Sequence, residues 1–303
     1  MKLATFAVGT EQRVGAVTGD KGRVVDLSAA FPDMLTLIEA GDAGRAAAEA
    51  IVADPPEGAT LALDAVRLCA PLPRPAQIRD FLCFEEHLRN SFAQAERMTG
   101  RTFEIPAVWY EQPIYYKGNR FSVSGPDDEI RWPSYAAVLD YELELACVIG
   151  RAGVDIRRDD AAGHIFGYTI FNDVSARDAQ MREMAGQLGP AKGKDFDTGN
   201  VFGPWIVTAD EIGDPYDLTM TARVNGEEWS RGHSGTMHHR FEDVIAFVSQ
   251  SETLHPGEIL GSGTVGTGCG LEQGRSLSPG DVIELEIDRI GVLRNRIGRP
   301  AAG

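Results

Sequence analysis

The chain has 303 residues, of which 43% are hydrophobic, and it carries a formal net charge of −16 at pH 7. This length and apolar content fit one large or two small domains, and the acidic balance argues against a nucleic-acid partner, which needs a basic face. No stretch approaches the ~20 apolar residues that span a bilayer, so we expect no membrane span and a cytoplasmic protein. The four cysteines form no Cys-x-x-Cys pair, and we expect reduced thiols.

Residues 1–70 are predicted to form a small N-terminal α/β domain. Its expected strands and helices lie at 2–8, 13–17, 23–26, 34–40 and 44–53. No catalytic constellation stands out there, so a structural or oligomer-forming appendage is the simplest interpretation. The proline-rich stretch 71–75 marks a boundary, and residues 71–303 are assigned to a larger domain.

After this boundary the sequence predicts a strand at 77–84 and a helix at 85–99. His87 lies in the first turn of that helix, and Asp80 lies seven residues earlier, near the end of the strand. A histidine at such a position is more often structural than functional. Residues 109–125 are aromatic and basic, and they could line a polar pocket or form a packed turn.

Acidic and apolar residues alternate at 139–150, which predicts a core strand with Glu142 and Glu144 on one face. Two neighbouring carboxylates repel each other unless a cation lies between them or one of them is protonated. A solvated strand face is the plainer explanation of such a pair.

Residues 165–171 predict another strand, and Asp173 is a suitable N-cap for the helix expected next. The loop at 189–198 is rich in glycine and lysine and contains Lys194. Such a loop could hold an anion, although lysines in turns more often face water.

The remaining chain is predicted to be mostly strands, with one amphipathic helix at 241–251. Asn225-Gly226 is a strong hairpin turn. The glycine-rich run 261–270 would let backbone approach a ligand closely, but no Walker motif follows it. With 34 glycines and 16 prolines, the whole chain is expected to be strand-rich α/β.

These stretches together resemble the fumarylacetoacetate hydrolase superfamily from about residue 75 onward. The matching motifs are Asp140-Tyr141-Glu142-Leu143-Glu144-Leu145, the segment 165–180, Gly189-Pro190 with Gly193-Lys194, Val224-Asn225-Gly226-Glu227, Gly261-Ser262-Gly263-Thr264 and Pro279-Gly280-Asp281. They come in the family's order and spacing. The resemblance implies a mixed β-sandwich roll behind the small N-terminal domain, and a homodimer.

The resemblance also implies a site, residue by residue. The carboxylates expected to hold a divalent cation are Asp80, Glu142, Glu144 and Asp173. The expected catalytic residues are His87, Lys194 and Glu272. The expected substrate contacts are Tyr116, Gln180 and Thr264. Thr198 matches a threonine near the cation and the lysine.

The chemistry of these residue types agrees with that assignment. All-oxygen ligands select a hard ion, so Mg²⁺, Mn²⁺ or Ca²⁺ is expected rather than zinc. A 1,3-diketone or a 2-oxoacid would chelate this ion through two oxygens. His87 would direct a hydroxide at a carbonyl carbon, and Lys194 and Gln180 would stabilise the developing negative charge.

Some positions depart from the family pattern. Asn90 stands where the smaller acylpyruvase-like relatives have a glutamate that pairs with the histidine, so Glu272 is the expected partner of His87. Leu82 and Met184 replace two tyrosines that contact substrate, and Arg97 lies one residue from the family's arginine position.

Three functions remain open on the sequence. The first is metal-dependent cleavage of a C–C bond in a 2,4-diketo acid or acylpyruvate. The second keeps the site but makes it a hydratase, dehydratase, isomerase or decarboxylase of a 2-oxoacid, because one fold can host several reactions. The third is a non-enzymatic binder of metals or organic acids.

Overall fold

The structure, a computed structural model, describes residues 1–19 and 22–300. Asp20, Lys21 and residues 301–303, the end of the predicted second domain, lie outside the described residues. The α-helices are α1 (Met34–Glu39), α2 (Gly41–Ala53), α3 (Glu85–Thr99), α4 (Ala107–Glu111), α5 (Arg177–Met184), α6 (Ala209–Ile212) and α7 (Phe241–Val248). Short 3₁₀ turns lie at Leu63–Ala65, Arg158–His164, Ser234–Thr236 and Leu271–Gln273.

The strands of the described residues are mostly short. They are β1 (Lys2–Val8), β2 (Glu11–Val17), β3 (Arg23–Asp26), β4 (Thr60–Ala62), β5 (Arg67–Leu68), β6 (Gln77–Phe81), β7 (Tyr115–Gly118), β8 (Val123–Ser124), β9 (Glu129–Ile130), β10 (Leu139–Asp140), β11 (Leu143–Ile149), β12 (Ile165–Asp173), β13 (Ser175–Ala176), β14 (Asn200–Thr208), β15 (Thr219–Val224), β16 (Glu227–His233), β17 (Glu258–Gly261), β18 (Val282–Ile287) and β19 (Gly291–Ile297).

Two sheets pack face to face and share one hydrophobic core. The larger sheet has twelve strands with a main path of β4-β3-β2-β1-β14-β12-β11-β17-β6-β7, and the smaller has the order β16-β15-β18-β19-β9. Leu145 and Ile170 of the larger sheet belong to the same buried cluster as Ala222, Ile283 and Leu293 of the smaller one. The predicted strand-rich α/β sandwich is therefore confirmed.

The N-terminal strands continue the larger sheet. β1 pairs antiparallel with β14, where Lys2 lies opposite Val207 and Leu3 opposite Ile206. One sheet thus runs across the boundary predicted near residue 70. The division into domains at that point stays a prediction.

Three neighbouring strand pairs bring distant residues together at one end of the strands of the larger sheet. Glu144 of β11 lies opposite Phe171 of β12, Gly261 of β17 lies beside Asp80 of β6, and Asp80 lies opposite Tyr116 of β7. This register gathers polar side chains that are far apart in sequence.

Two details of the predicted elements were wrong. The stretch 139–150 is not one strand, because β10 pairs with β13 in a separate two-stranded sheet before β11 begins. Asp173 is not a helix N-cap: it ends β12, pairs with Asn200 of β14, and α5 begins only at Arg177. The Asn225-Gly226 hairpin is confirmed, with φ of 53° and 80° at its two residues.

Residues 1–19 and 22–300 contain no helix with the length and apolar character needed to cross a membrane. The four cysteines are buried with free thiols.

Candidate active site

Three carboxylates meet at one end of neighbouring strands of the larger sheet. Asp80, Glu144 and Asp173 each present a ligand oxygen within 4.8 Å of the others, and all three side chains are buried. One oxygen of each carboxylate, namely Oδ1 of Asp80, Oε1 of Glu144 and Oδ1 of Asp173, has no hydrogen-bond partner. Buried polar atoms nearly always have a hydrogen-bond partner or a ligand. Three carboxylate oxygens without such a partner in one place therefore fit the coordination of a cation.

A glycine makes room for this cluster. Gly261 lies on β17 between the strands that carry Asp80 and Glu144. A Cβ at this position would lie 2.5 Å from Asp80 Oδ1 and 2.9 Å from Glu144 Oε2. Any larger residue would therefore displace the carboxylates.

The electrostatics of the cluster agree with a cation site. Burial raises the pKa of Asp80 and of Glu144 well above the usual carboxylate range, and the charges of neighbouring carboxylates raise both further. Burial also raises the pKa of Asp173, although the Lys194 ammonium opposes the shift. Because the donors are all oxygens, the cluster fits a hard divalent ion such as Mg²⁺ or Mn²⁺.

Lys194 lies directly beside the cluster. Its Nζ donates at 2.5 Å to Oδ2 of Asp173 and at 2.5 Å to Oε2 of Glu142. Burial alone would lower the pKa of Lys194, but Asp173 and Glu142 outweigh it and raise that pKa above its ordinary value. Lys194 is therefore a fixed positive charge at the site.

Glu142 is held differently from the other three predicted ligands. Its Oε2 accepts from Lys194, and its Oε1 lies 2.7 Å from Nη1 of Arg177. Burial opposes ionisation of Glu142, but these two cations outweigh burial and lower its pKa below the ordinary range. Glu142 has no orphaned oxygen, so its role as a metal ligand stays a prediction.

Arg177 lies in the matching segment 165–180, but the sequence predicted no role for it. It bonds Asp140 Oδ2 through Nε at 2.9 Å and Nη2 at 2.7 Å, and it also donates to Gln180 Oε1 at 3.0 Å. The Asp140–Arg177 pair joins the ends of β10 and α5 and so orients Glu142. A buried arginine needs a carboxylate partner. Asp140 lies 37 positions from Arg177 in the sequence, so no local pattern indicates this pair.

His87 and Glu272 form a second buried pair in the same region. Nδ1 of His87 lies 2.8 Å from Oε1 of Glu272, as the sequence predicted from the family pattern. Asn90 Nδ2 donates to the other carboxylate oxygen, Oε2, at 2.8 Å, and the Thr267 amide donates to it at 2.7 Å. Asn90 therefore holds the glutamate that the sequence proposed as the partner of the histidine.

His87, Asp80 and Glu144 line one cavity of about 500 Å³. Asp173 and Glu272 contact these residues but do not line the cavity themselves. The predicted substrate contacts Tyr116, Gln180 and Thr264 line it, as do Leu82 and Met184. Tyr116 donates from its hydroxyl to Oδ2 of Asp173 at 2.7 Å, which ties it to the carboxylate cluster. The structure thus brings the predicted substrate contacts together with the carboxylates and with His87.

Arg97 and Thr198 neither line this cavity nor contact the carboxylate cluster. Arg97 is exposed near the end of α3 and bonds Gln94. The Thr198 hydroxyl accepts from the backbone amide of Arg131 at 2.8 Å. Neither side chain contributes to the site as described.

Comparison with known proteins decides the family. The pattern described as "Fumarylacetoacetate (FAA) hydrolase C-terminal" matches residues 77–298. The chain belongs to the fumarylacetoacetate hydrolase family. This assignment covers the strands and loops that carry all of the predicted site residues.

Relatives of this fumarylacetoacetate hydrolase family member have several activities in their names. The chain is 34% identical over 290 residues to oxaloacetate tautomerase FAHD2A, mitochondrial, of Homo sapiens, covering 94% of this chain and 87% of that protein. It is 35% identical over 238 residues to oxaloacetate tautomerase YisK of Bacillus subtilis (strain 168), covering 78% and 74%.

A solved structure of similar fold contains a cation and a 2-oxoacid. Maleylpyruvate hydrolase from Sphingobium sp. SYK-6, in complex with manganese(II) ion and pyruvate, superposes with a TM-score of 0.77 at 25% identity, covering 98% of this chain and 99% of that one. A protein of similar fold therefore holds a hard divalent cation together with a 2-oxoacid.

Proposed function

We propose that the protein is a divalent-cation-dependent enzyme that moves a proton at carbon 3 of a 2-oxoacid and so interconverts its keto and enol forms. The observation that carries this proposal is that His87, which is paired with Glu272, lines the same cavity as Asp80 and Glu144, two of the three carboxylates with orphaned oxygens. The names of the human and Bacillus relatives support oxaloacetate as the first substrate to test. They also argue against a purely binding role.

The cation would be held by Asp80, Glu144 and Asp173. When bound, it supplies chelation of the carboxylate and keto oxygens of a 2-oxoacid and polarises the keto group, which acidifies the neighbouring carbon. The remaining work falls to groups of the chain itself.

His87 is the proposed proton carrier. With its Nδ1–H donated to Glu272, the imidazole presents the Nε2 lone pair as the base. Glu272 then stabilises the imidazolium that forms, as the acidic partner of a histidine does in other active sites.

Lys194 and Gln180 would stabilise the enolate. The Lys194 ammonium is already held next to Asp173, and its raised pKa keeps it charged at neutral pH. A fixed charge beside the developing oxyanion needs no rearrangement during the reaction.

Cleavage of a C–C bond in an acylpyruvate is the second candidate, and the apolar part of the cavity lining favours it. This apolar wall consists of Leu82, Phe92, Ile114, Met184 and Leu188. Such a wall suits an apolar acyl tail and offers no partner to a second carboxylate.

The basic residues of the cavity lining also offer no partner to a second substrate carboxylate. Arg177 and Lys194 are already paired with carboxylates. Lys117 lies on the opposite strand face from Tyr116, beside Arg79, and its Nζ reaches Glu252 at 3.7 Å. Among the described lining residues, every lysine and arginine therefore already lies near a carboxylate of the protein, and none is placed to bind the distal carboxylate of oxaloacetate.

One pair of assays separates the two candidates. Purified protein with Mn²⁺ is given oxaloacetate, followed by loss of enol absorbance, and an acylpyruvate, followed by release of pyruvate. His87→Asn should lower kcat/KM on the preferred substrate by about 10²- to 10⁴-fold, whereas His164→Asn, outside the cavity, should not. Catalysis of neither reaction, or full activity in His87→Asn, would refute the proposal.

A further inference from the structure

A second cluster of metal-binding side chains lies beside the carboxylates. Ligand atoms of His87, Cys269 and Glu272 lie within 4.8 Å of one another, and all three side chains are buried. They come from α3, from the loop after β17 and from the 3₁₀ turn at Leu271–Gln273. Cys269 is fully buried, and its Sγ lies 3.4 Å from Oε1 of Glu272.

We propose that His87, Cys269 and Glu272 form a thiolate-containing site for a borderline-soft divalent cation such as Zn²⁺, and that an ion bound there inhibits the enzyme. The donors are one imidazole nitrogen, one sulfur and one carboxylate oxygen. This set favours zinc, whereas the oxygens of Asp80, Glu144 and Asp173 favour magnesium or manganese. Binding is independent of the proposed function, and only the inhibition rests on it.

The spacing of the donors is close to what zinc needs. Bonds of about 2.0–2.3 Å in a tetrahedron place neighbouring ligand atoms about 3.3–3.6 Å apart. The Sγ–Oε1 distance of 3.4 Å already fits, and the Nδ1–Oε1 distance of 2.8 Å must open by a fraction of an ångström. A water would supply the fourth ligand.

The protons balance in a way that explains inhibition. The Cys269 thiol gives its proton to solvent as the sulfur–metal bond forms. The ring proton of His87 moves from Nδ1 to Nε2 by exchange with solvent, so the imidazole stays neutral. The Nδ1 lone pair then binds the ion. Nε2 is then no longer a base, and Glu272 no longer partners the imidazole.

A role for Cys269 as a nucleophile is the competing interpretation. Burial raises the pKa of this thiol well above its ordinary value, and the carboxylate of Asp140 raises it further. Without a metal the sulfur therefore stays protonated and unreactive near neutral pH.

Cobalt tests the binding half directly, because a thiolate ligand gives Co²⁺ an intense sulfur-to-metal charge-transfer absorption in the near ultraviolet. With the protein saturated in Mg²⁺, added Co²⁺ should produce this band in the wild type and in Cys147→Ala, which lacks a different buried thiol. Cys269→Ala should not produce it. A band that persists in Cys269→Ala, or no band in the wild type, overturns the proposal.

Zinc inhibition tests the other half. At saturating Mg²⁺, the wild type should keep a component of Zn²⁺ inhibition that more Mg²⁺ does not relieve. Each variant is compared with its own uninhibited rate. The inhibition constant of this component should rise at least about tenfold in Cys269→Ala, because removing even a residue that only supports a metal ligand weakens metal binding by that factor. An unchanged constant contradicts the inhibition, whereas absence of all turnover refutes the proposed function and leaves the cobalt result standing.

If Cys269→Ala does not fold, wild-type protein alone suffices. X-ray absorption at the zinc edge, with one equivalent of Zn²⁺ and excess Mg²⁺, should show one sulfur neighbour at about 2.3 Å. A shell of oxygen and nitrogen alone would overturn the site.

Discussion

Glu272 is surrounded by hydrogen-bond donors on both of its oxygens. His87 and Cys269 point at Oε1, and Asn90 and the Thr267 amide point at Oε2. A carboxylate, which only accepts, satisfies all four of these donors. This arrangement fixes the orientation of the His87 ring.

The first prediction follows from these donors. In Glu272→Gln the side-chain NH₂ can face the donors of Asn90 and Thr267, which leaves buried donors unpaired. If it faces His87 instead, Nδ1 can accept from it only when the ring proton lies on Nε2, which removes the base. An unpaired buried donor costs about 1–3 kcal/mol, so we expect kcat/KM to fall at least about tenfold while Mn²⁺ affinity stays unchanged. Isothermal titration with Mn²⁺ beside the kinetic assay checks both, and unchanged kinetics would contradict the role of the pair.

At this scale the sequence predicted the partner but not its support. The family pattern identified Glu272 because it lies a short distance after the Gly-Ser-Gly-Thr turn. The contact from Asn90 joins residues 182 positions apart, and nothing local in the sequence encodes it. The role of Arg177 was missed for the same reason, because Arg177 begins α5 whereas its partner Asp140 lies on β10.

Among the strands, the decisive feature is the gap left by Gly261 between β6 and β11. Gly261→Ala would push a methyl group against Asp80 Oδ1 and Glu144 Oε2. We expect Mn²⁺ affinity to fall at least about tenfold, comparable to the loss of a supporting group at a metal site, with the fold retained. Gly163→Ala is the control, because a Cβ there meets nothing within 4 Å. Equal Mn²⁺ affinity in both variants would contradict this view of the site.

Asp173 shows where local patterns fail. An aspartate just before a run of helix formers is typical of an N-cap. In the structure its backbone instead pairs with Asn200 of β14, and β12 continues to Asp173 before α5 begins. Pairing with a neighbouring strand overrides the local preference and directs this carboxylate into the cluster.

For the whole molecule, the raised carboxylate pKa values link stability to pH. In the unfolded chain Asp80, Glu144 and Asp173 ionise near pH ~4. Folding raises their pKa values, so their contribution is complete below that pH and is lost as pH rises through the raised values.

The cation-free protein should therefore have a lower Tm at about pH 8 than at about pH 5.5, and Mn²⁺ should raise Tm more at the higher pH. Thermal scans with a chelator and with Mn²⁺ measure both effects. Glu144→Gln removes one of the ionising groups and should flatten the dependence. An equal Mn²⁺ gain at both pH values would contradict the linkage.

The strand pattern and the turns predicted a strand-rich α/β chain because they are strong local signals. The arrangement of the strands in a sandwich came from the family resemblance. The sequence could not predict that β1 continues the larger sheet through β14, since that pairing joins residues about 200 positions apart. The predicted homodimer and the cytoplasmic location stay predictions.

The most direct test of the central claim is a crystal soaked with Mn²⁺ and oxalate, an unreactive mimic of a 2-oxoacid. The account predicts one anomalous manganese peak bounded by Asp80, Glu144 and Asp173, with oxalate on its open side and the His87 imidazole facing the oxalate. A peak elsewhere, or oxalate bound away from His87, would contradict it.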